Sequence, residues 1–221
     1  FLQENGDLTN IITCCHFSLH DATPLKVSLM NLATANEAGA IYNPYRNSFK
    51  SEDGSLNWLP VCADAHGLVV NRDLFVQYGI PLPTDYAGFV AACKAFEEVG
   101  IRGYTADYLY DYTCMETLQG LSAGELTTIA GRKWRTAYSD PASNTRVGLD
   151  DTVWPGGFER MEQFIQDTGL TAADLELNYD DVVEMFGNGQ LAMYFGSSAG
   201  VGMFQEQGID ATFLPIFSQN G

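Results

Sequence analysis

The sequence predicts an α/β fold, in which short strands alternate with longer helices. Short apolar runs, such as residues 191–195, have the length and composition of buried strands. They are separated by stretches whose apolar residues follow helical spacing, such as residues 86–96. Hydrophobic residues make up 46% of the 221 residues, which is enough for a substantial core.

The first 60 residues carry the weaker local signals. Residues 9–13 are predicted to form a short buried strand, and a helix is predicted to begin at Thr23 and Pro24, a cap followed by a first-turn proline. A further helix or partly irregular stretch is expected over residues 38–49, and a strand over residues 56–60.

The clearest local signals lie between residues 67 and 84. An apolar run ends at Asn71, whose side chain can cap a helix that begins at the next residue. Gly79 can end that helix with a positive φ. Two prolines then hold the chain extended, and Thr84 is predicted to cap the following helix.

The rest of the chain is predicted to continue the alternation. The spacing of Phe89, Cys93 and Phe96 predicts one buried helix face. A later helix is predicted to bury Phe158, Met161 and Ile165. The remaining predicted elements are a strand at 101–106, a helix at 118–130, a loop-rich stretch at 133–144, and strands at 191–195 and 211–215.

Two blocks of this sequence resemble a known family. The first block consists, with its spacing kept, of Asn71, Asp73, Leu74, Phe75, Gly79, Ile80, Pro83, Thr84 and Phe89. The second is Phe-Gly-Asn-Gly-Gln-Leu-Ala-Met at residues 186–193. Both are similar to motifs of extracellular solute-binding protein family 1, the maltose-binding-protein-like sugar-binding proteins of ABC importers.

The resemblance implies a periplasmic-binding-protein-like class II fold, with two lobes joined by a crossing hinge. Residues 1–61 would be part of the first lobe, 62–215 the second lobe, and 216–221 the start of the return crossing, so the chain is expected to be a fragment. It implies a monomer that captures a small solute without catalysis, needs no cofactor and delivers the solute to ABC permease subunits. The location would be extracellular or periplasmic, with a lipid anchor at a missing amino terminus.

Residues 107–112 contain three tyrosines and two aspartates, the most unusual local composition in the chain. Tyr108, Tyr110 and Tyr112 could stack on sugar rings while Asp107 and Asp111 accept bonds from sugar hydroxyls. The same residues could instead surround a cation such as a polyamine or a quaternary amine. An ordinary amphipathic helix start with half-buried tyrosines also fits this composition.

The resemblance adds further candidates for the ligand cleft. His16 and Phe17 follow the first predicted strand, where the family's residues face the ligand. Asp64 lies in the predicted crossing between the lobes, although it could also cap a turn. Ser197 and Ser198 stand where sugar-binding relatives carry a stacking tryptophan, so hydroxyl groups and a helix amino terminus are expected there instead.

The Gly-x-Ser-x-Gly motif around Ser198 offers an alternative, a serine hydrolase. That fold places the histidine base after the serine, whereas His16, His20 and His66 all precede it. A non-catalytic role is therefore preferred.

Composition excludes several other classes. A net charge of −17 argues against nucleic acid and anionic membrane surfaces as partners. Cys14 and Cys15, close to His16 and His20, suggest a metal site, but no second ligand pair follows at zinc-like spacing. Buried cysteines are the preferred interpretation, and no metal is expected.

Overall fold

The computed structural model describes residues 64–139, 147–148, 150 and 154–219. The chain divides into two units, Phe1–Ala63 and Asp64–Gly221, and every described residue lies in the second. The elements predicted before residue 61 lie outside the described residues, as do Cys14, Cys15, His16, Phe17 and His20. The division into lobes at residues 61 and 62 stays a prediction.

Helices and strands alternate along the described residues, as the sequence predicts. Their order is β1 (His66–Asn71), α1 (Arg72–Tyr78), α2 (Tyr86–Glu98), β2 (Arg102–Thr105), α3 (Asp111–Leu121), α4 (Ala123–Leu126), α5 (Ile129–Ser139), α6 (Trp154–Thr168), a 3₁₀ helix (Ala172–Glu176), α7 (Tyr179–Gly187), β3 (Leu191–Ser197), α8 (Ala199–Glu206) and β4 (Ala211–Leu214).

The four strands form one mixed sheet in the order β2-β3-β1-β4. β3 pairs parallel with β2, and β1 pairs antiparallel with both β3 and β4. The strands predicted at 101–106 and 191–195 are therefore neighbours in one sheet, which confirms their prediction.

The sheet is covered on both faces because successive side chains of a strand point to opposite sides. Leu68 and Val70 of β1 belong to one core cluster, together with Phe89 and Phe96 of α2. Val69 belongs to a second cluster that includes residues of α7 and α8. Both faces of β1 are thus buried, which explains its continuous apolar sequence.

The caps of α1 match the sequence prediction. The Asn71 side chain accepts a hydrogen bond from the backbone of Leu74, and Gly79 adopts a φ of 65° at the carboxyl end. The cap of α2 differs from the prediction, because Asp85 takes this role in place of Thr84. Its carboxylate accepts from the backbone N–H of Gly88 at 2.7 Å, a stronger bond than a neutral hydroxyl would make.

The predictions for residues 118–144 were wrong in their boundaries. Helical structure begins at Asp111 and is broken into α3, α4 and α5. The stretch predicted as loop-rich from residue 133 continues α5 to Ser139. Trp134 and Tyr138, four residues apart on this helix, stack with their ring centroids 4.8 Å apart, a contact that supports the helix.

The buried face of α6 also differs from the prediction. Met161 packs partly buried against the core as predicted, but Phe158 and Ile165 are exposed and Phe164 is fully buried. The ring of Phe164 packs 5.7 Å from that of Phe89 and 5.2 Å from that of Tyr104. These two rings, supplied by α2 and β2, determine which side of α6 faces the core.

Candidate functional site

A cavity of about 160 Å³ opens at one end of the sheet. The carboxyl ends of the parallel strands β2 and β3 meet at this edge, and the antiparallel strand β1 begins there. Asp107 follows β2, Ser197 ends β3 and His66 starts β1, so the topology brings these three side chains to one place. Helix α3 and helix α7 provide the remaining walls.

Charged and polar groups are linked around the start of β1. The Ser197 hydroxyl donates a hydrogen bond to Asp64. His66 pairs through Nδ1 with the Glu116 carboxylate of α3 at 2.5 Å, while its Nε2 lies 3.8 Å from Asp64. These contacts join the two central strands to α3 and fix the orientation of the Glu116 carboxylate.

Asp107 is a partly buried carboxylate in the lining of the cavity. Partial burial raises the pKa of Asp107 above its ordinary value, while a hydrogen bond from the Thr113 hydroxyl at 3.0 Å acts in the opposite direction. A carboxylate that has lost hydration gains from any further donor or positive charge that a ligand supplies.

Tyrosine rings form the apolar part of the site. Tyr112 and Tyr179 both line the cavity and are both exposed. Tyr110 stacks on Tyr112, with ring centroids 5.3 Å apart and an angle of 12° between the planes. This stacking holds the Tyr112 ring at the wall without burying it.

Tyr108 does not join the other two tyrosines, which corrects its prediction as a ligand-binding residue. Only 5% of the residue is exposed, and it belongs to the core cluster on one face of the sheet. Its hydroxyl lies 2.8 Å from that of Tyr104 and 3.4 Å from that of Thr117. Because β2 ends at Thr105 and the chain turns before α3, the three tyrosines do not share a face.

The two serines after β3 have different positions. Ser197 lines the cavity, and its hydroxyl accepts from the backbone N–H of Ala199 at 3.0 Å. Ser198 forms two hydrogen bonds with Ala65, the residue before β1. The Ser198 hydroxyl accepts from the Ala65 N–H, and the Ser198 N–H donates to the Ala65 carbonyl. Part of the amino terminus of α8 is therefore occupied by the protein itself.

Sequence reasoning missed several residues of the cavity wall, among them His66, Thr113, Glu116, Tyr179 and Tyr194. Glu116 lies four residues after the predicted Tyr112 on the same face of α3, so a correct start for this helix would have revealed Glu116 as a further wall residue. The pairing of His66 with Glu116 joins residues 50 positions apart and has no local signal.

The family of the chain follows from a match over most of its length. The family model described as bacterial extracellular solute-binding protein matches residues 20–221. The chain belongs to this family. No curated protein sequence matches the chain. Among the described residues, no helix combines the length and the apolar character needed to cross a membrane.

Solved structures of other solute-binding proteins share the fold at low identity. Apo RafE from Streptococcus pneumoniae has 17% identity and a TM-score of 0.72, covering 99% of this chain and 56% of its own. RafE in complex with raffinose has 16% identity and a TM-score of 0.73, with the same coverage. The maltotriose-binding protein of Thermus thermophilus, bound with maltotriose, has 17% identity and a TM-score of 0.59, covering 87% of this chain and 48% of its own. This chain thus spans about half the length of these solute-binding proteins.

Proposed function

We propose that this solute-binding protein captures a mono- or oligosaccharide reversibly, without catalysis, and delivers it to an ABC transporter. The observation that carries the proposal is the cavity at the sheet edge, where the tyrosine rings of α3 and α7 adjoin carboxylates and hydroxyls. An aromatic ring offers a flat surface to the C–H face of a sugar, and carboxylates accept from its hydroxyls. RafE and the Thermus thermophilus protein, which share the fold, have structures with raffinose and maltotriose.

The family suggests the setting of this activity. We infer an extracellular or periplasmic location, with a lipid anchor, and ABC permease subunits as partners of a monomeric binding protein. His16 and Phe17 remain proposed contacts to the same ligand. No cofactor enters the proposal.

A second candidate function is the binding of a polyamine or a quaternary amine. Asp107 and Glu116 favour it, because both carboxylates line the cavity beside tyrosine rings that can attract a cation. Binding of a cation weakens as salt is added, whereas binding of a neutral sugar does not. A titration of sodium chloride separates the two candidates.

Hydrolysis at Ser198 is the competing enzymatic function. Among the described residues, the Ser198 hydroxyl accepts from the Ala65 backbone N–H, and the contacts of His66 are to Glu116 and Asp64. We expect a reactive phosphonate to leave Ser198 unlabelled; covalent labelling that depends on this serine would contradict a non-catalytic function.

The proposal is tested first by a thermal-shift screen of sugars and amines. A ligand at about a hundred times its dissociation constant adds about 2.7 kcal/mol to the free energy of unfolding. We expect at least one saccharide to raise Tm, and a screen in which none does would contradict saccharide capture.

Calorimetry on variants then tests the site. Tyr112→Ala should weaken saccharide binding by about 1–3 kcal/mol, because a ring that contacts the sugar is removed. Asp64→Asn should also lower the affinity while leaving the Tm of the free protein nearly unchanged. Tyr108→Phe is the control, since its buried hydroxyl bonds only within the core; it should lower stability and leave affinity unchanged.

A further inference from the structure

We propose that the saccharide bound in this cavity carries a free amino group, which Asp107 and Glu116 hold. This inference rests on the proposed function and narrows its ligand to amine-bearing sugars.

The charge of the cavity wall has one predominant sign. Asp107 and Glu116 line the cavity, and Asp64 adjoins it through Ser197. Within the described residues, the lining includes neither lysine nor arginine, and His66 contacts Glu116 through one of its two carboxylate oxygens. Arginines of this unit pair with acids outside the lining: Arg72 with Asp210, Arg102 with Asp174, and Arg160 with Glu125. The wall therefore attracts a cationic ligand and repels an anionic sugar such as a uronic acid.

Two polar groups of the cavity wall, on Tyr194 and Asp107, can form hydrogen bonds with a ligand. Tyr194 lines the cavity and only 2% of the residue is exposed, yet its hydroxyl has no hydrogen-bond partner among the described residues. Burial raises the pKa of Tyr194 well above its ordinary value, and nearby Tyr179 and Asp107 raise it further. Asp107 itself is half-buried and accepts from the Thr113 hydroxyl. A hydroxyl that reaches the cavity from a mostly buried ring and a half-buried carboxylate both gain when a ligand donates to them.

The same residues indicate which kind of amine the cavity binds. A primary ammonium group carries three N–H donors, enough to reach more than one carboxylate, whereas a quaternary amine has none. The exposed rings of Tyr112 and Tyr179 offer flat faces for a pyranose ring. The hydroxyls of Thr113 and Ser197 donate to Asp107 and Asp64, so toward a sugar hydroxyl they act as acceptors. An amino sugar uses all of these groups, while a linear polyamine has no pyranose ring to lie on the tyrosine faces and no hydroxyls to pair with Thr113 and Ser197.

Calorimetry with matched ligands tests the inference on the full-length chain. The probes are the disaccharide of glucosamine, its N-acetylated form, raffinose, maltotriose and spermidine. We expect the free-amine disaccharide to bind at least about tenfold more tightly than the N-acetylated form, because acetylation removes the charge. Its affinity should also fall as sodium chloride rises from about 0.05 to about 0.5 M.

Charge-removing variants locate the contact. Glu116→Gln should weaken binding of the free-amine disaccharide by about tenfold while changing that of the N-acetylated form less than about threefold. Asp107→Asn provides a second test if the first variant folds poorly. Glu98→Gln is the matched control, because it removes the same charge from an exposed position at the end of α2 and should change neither affinity.

The outcomes separate this inference from the proposed function. If raffinose or maltotriose binds as tightly as the free-amine disaccharide, the proposal that the ligand carries an amino group is wrong, and saccharide capture still stands. If Glu116→Gln lowers the affinity for both disaccharides equally, the proposed amino group is likewise wrong and saccharide capture still stands. Binding of spermidine alone would overturn both statements and favour the second candidate function, and binding of none of the probes would overturn both outright.

Discussion

Asp174 joins two segments of the chain through its side chain. Only 6% of the residue is exposed, and both of its oxygens accept from the Arg102 guanidinium at 3.0 Å. It also accepts from the Thr105 hydroxyl at 2.7 Å and from the backbone N–H of Thr171 at 2.7 Å. One carboxylate therefore links the 3₁₀ helix to β2, the strand that leads to Asp107.

We predict that Asp174→Ala lowers the free energy of unfolding by about 3 kcal/mol, because it removes the buried carboxylate partner of Arg102 and leaves the Thr105 hydroxyl without its acceptor. Urea denaturation measures the loss. Glu97→Gln is the matched control, since Glu97 contacts the same arginine at 3.4 Å from an exposed position and should cost less than about 1 kcal/mol. Equal losses would show that burial does not govern this ion pair.

Helix α2 and strand β2 approach each other closely at Gly103. A Cβ atom at this position would lie 2.5 Å from Cα of Cys93 and 2.7 Å from its carbonyl oxygen. Backbone atoms cannot move aside as a flexible side chain can, so this contact sets the distance between the helix and the sheet. Gly79 presents the opposite case, because its φ is 65° but nothing lies within 4 Å of an added Cβ.

We predict that Gly103→Ala destabilises the protein by about 2–3 kcal/mol, through displacement of α2. Gly79→Ala should cost only about 1 kcal/mol, the conformational penalty of a left-handed residue without a steric clash. Urea denaturation of the two variants, compared at equal temperature, checks the order. A larger loss for Gly79→Ala would contradict the close contact between α2 and β2.

The core cluster that includes Phe89 and Phe96 encloses titratable groups that the fold keeps neutral. Burial raises the pKa of the Cys93 thiol from 9.0 to about 12, and burial also raises that of the Tyr108 phenol from 10.0 to about 12. The pKa of Tyr104, which is fully buried, also lies well above its ordinary value for the same reason. In the unfolded chain these groups return to their ordinary pKa values.

We therefore predict that stability falls as the pH rises above about 9. Between the unfolded and the folded pKa values, the unfolded chain releases protons that the folded chain retains. The unfolded state then binds fewer protons, so the free energy of unfolding decreases with pH. Urea denaturation between about pH 8 and pH 10.5 measures the slope.

Cys93→Ala is the control variant, because it removes the Cys93 thiol, one of the groups that keep their proton in the folded chain. The variant should start from a lower stability and lose it less steeply with pH. A free energy of unfolding that stays constant up to about pH 10.5 would contradict the burial of these groups.

The sequence by itself determined those elements whose signals are local. Asn71 and Gly79 mark the ends of α1 through side-chain and backbone chemistry that needs no distant partner. The apolar runs at β2, β3 and β4 and the helical spacing in α2 predicted these elements correctly. Of the site, Asp64, Tyr112 and Ser197 were predicted, and the structure places them in or beside the cavity wall.

Only the tertiary structure decided which side chains meet. Glu116 is on α3, the helix that follows β2, and it meets His66 because β1 pairs antiparallel with β3 and β3 pairs with β2. No local sequence pattern specifies this strand order. Tyr108 is buried because the chain turns after β2 and sends its ring into the core while Tyr112 stays at the wall. Local sequence determines a cap or a strand through neighbouring atoms, whereas a cavity depends on strand order and on the rotation of each helix, which are set by packing between distant segments.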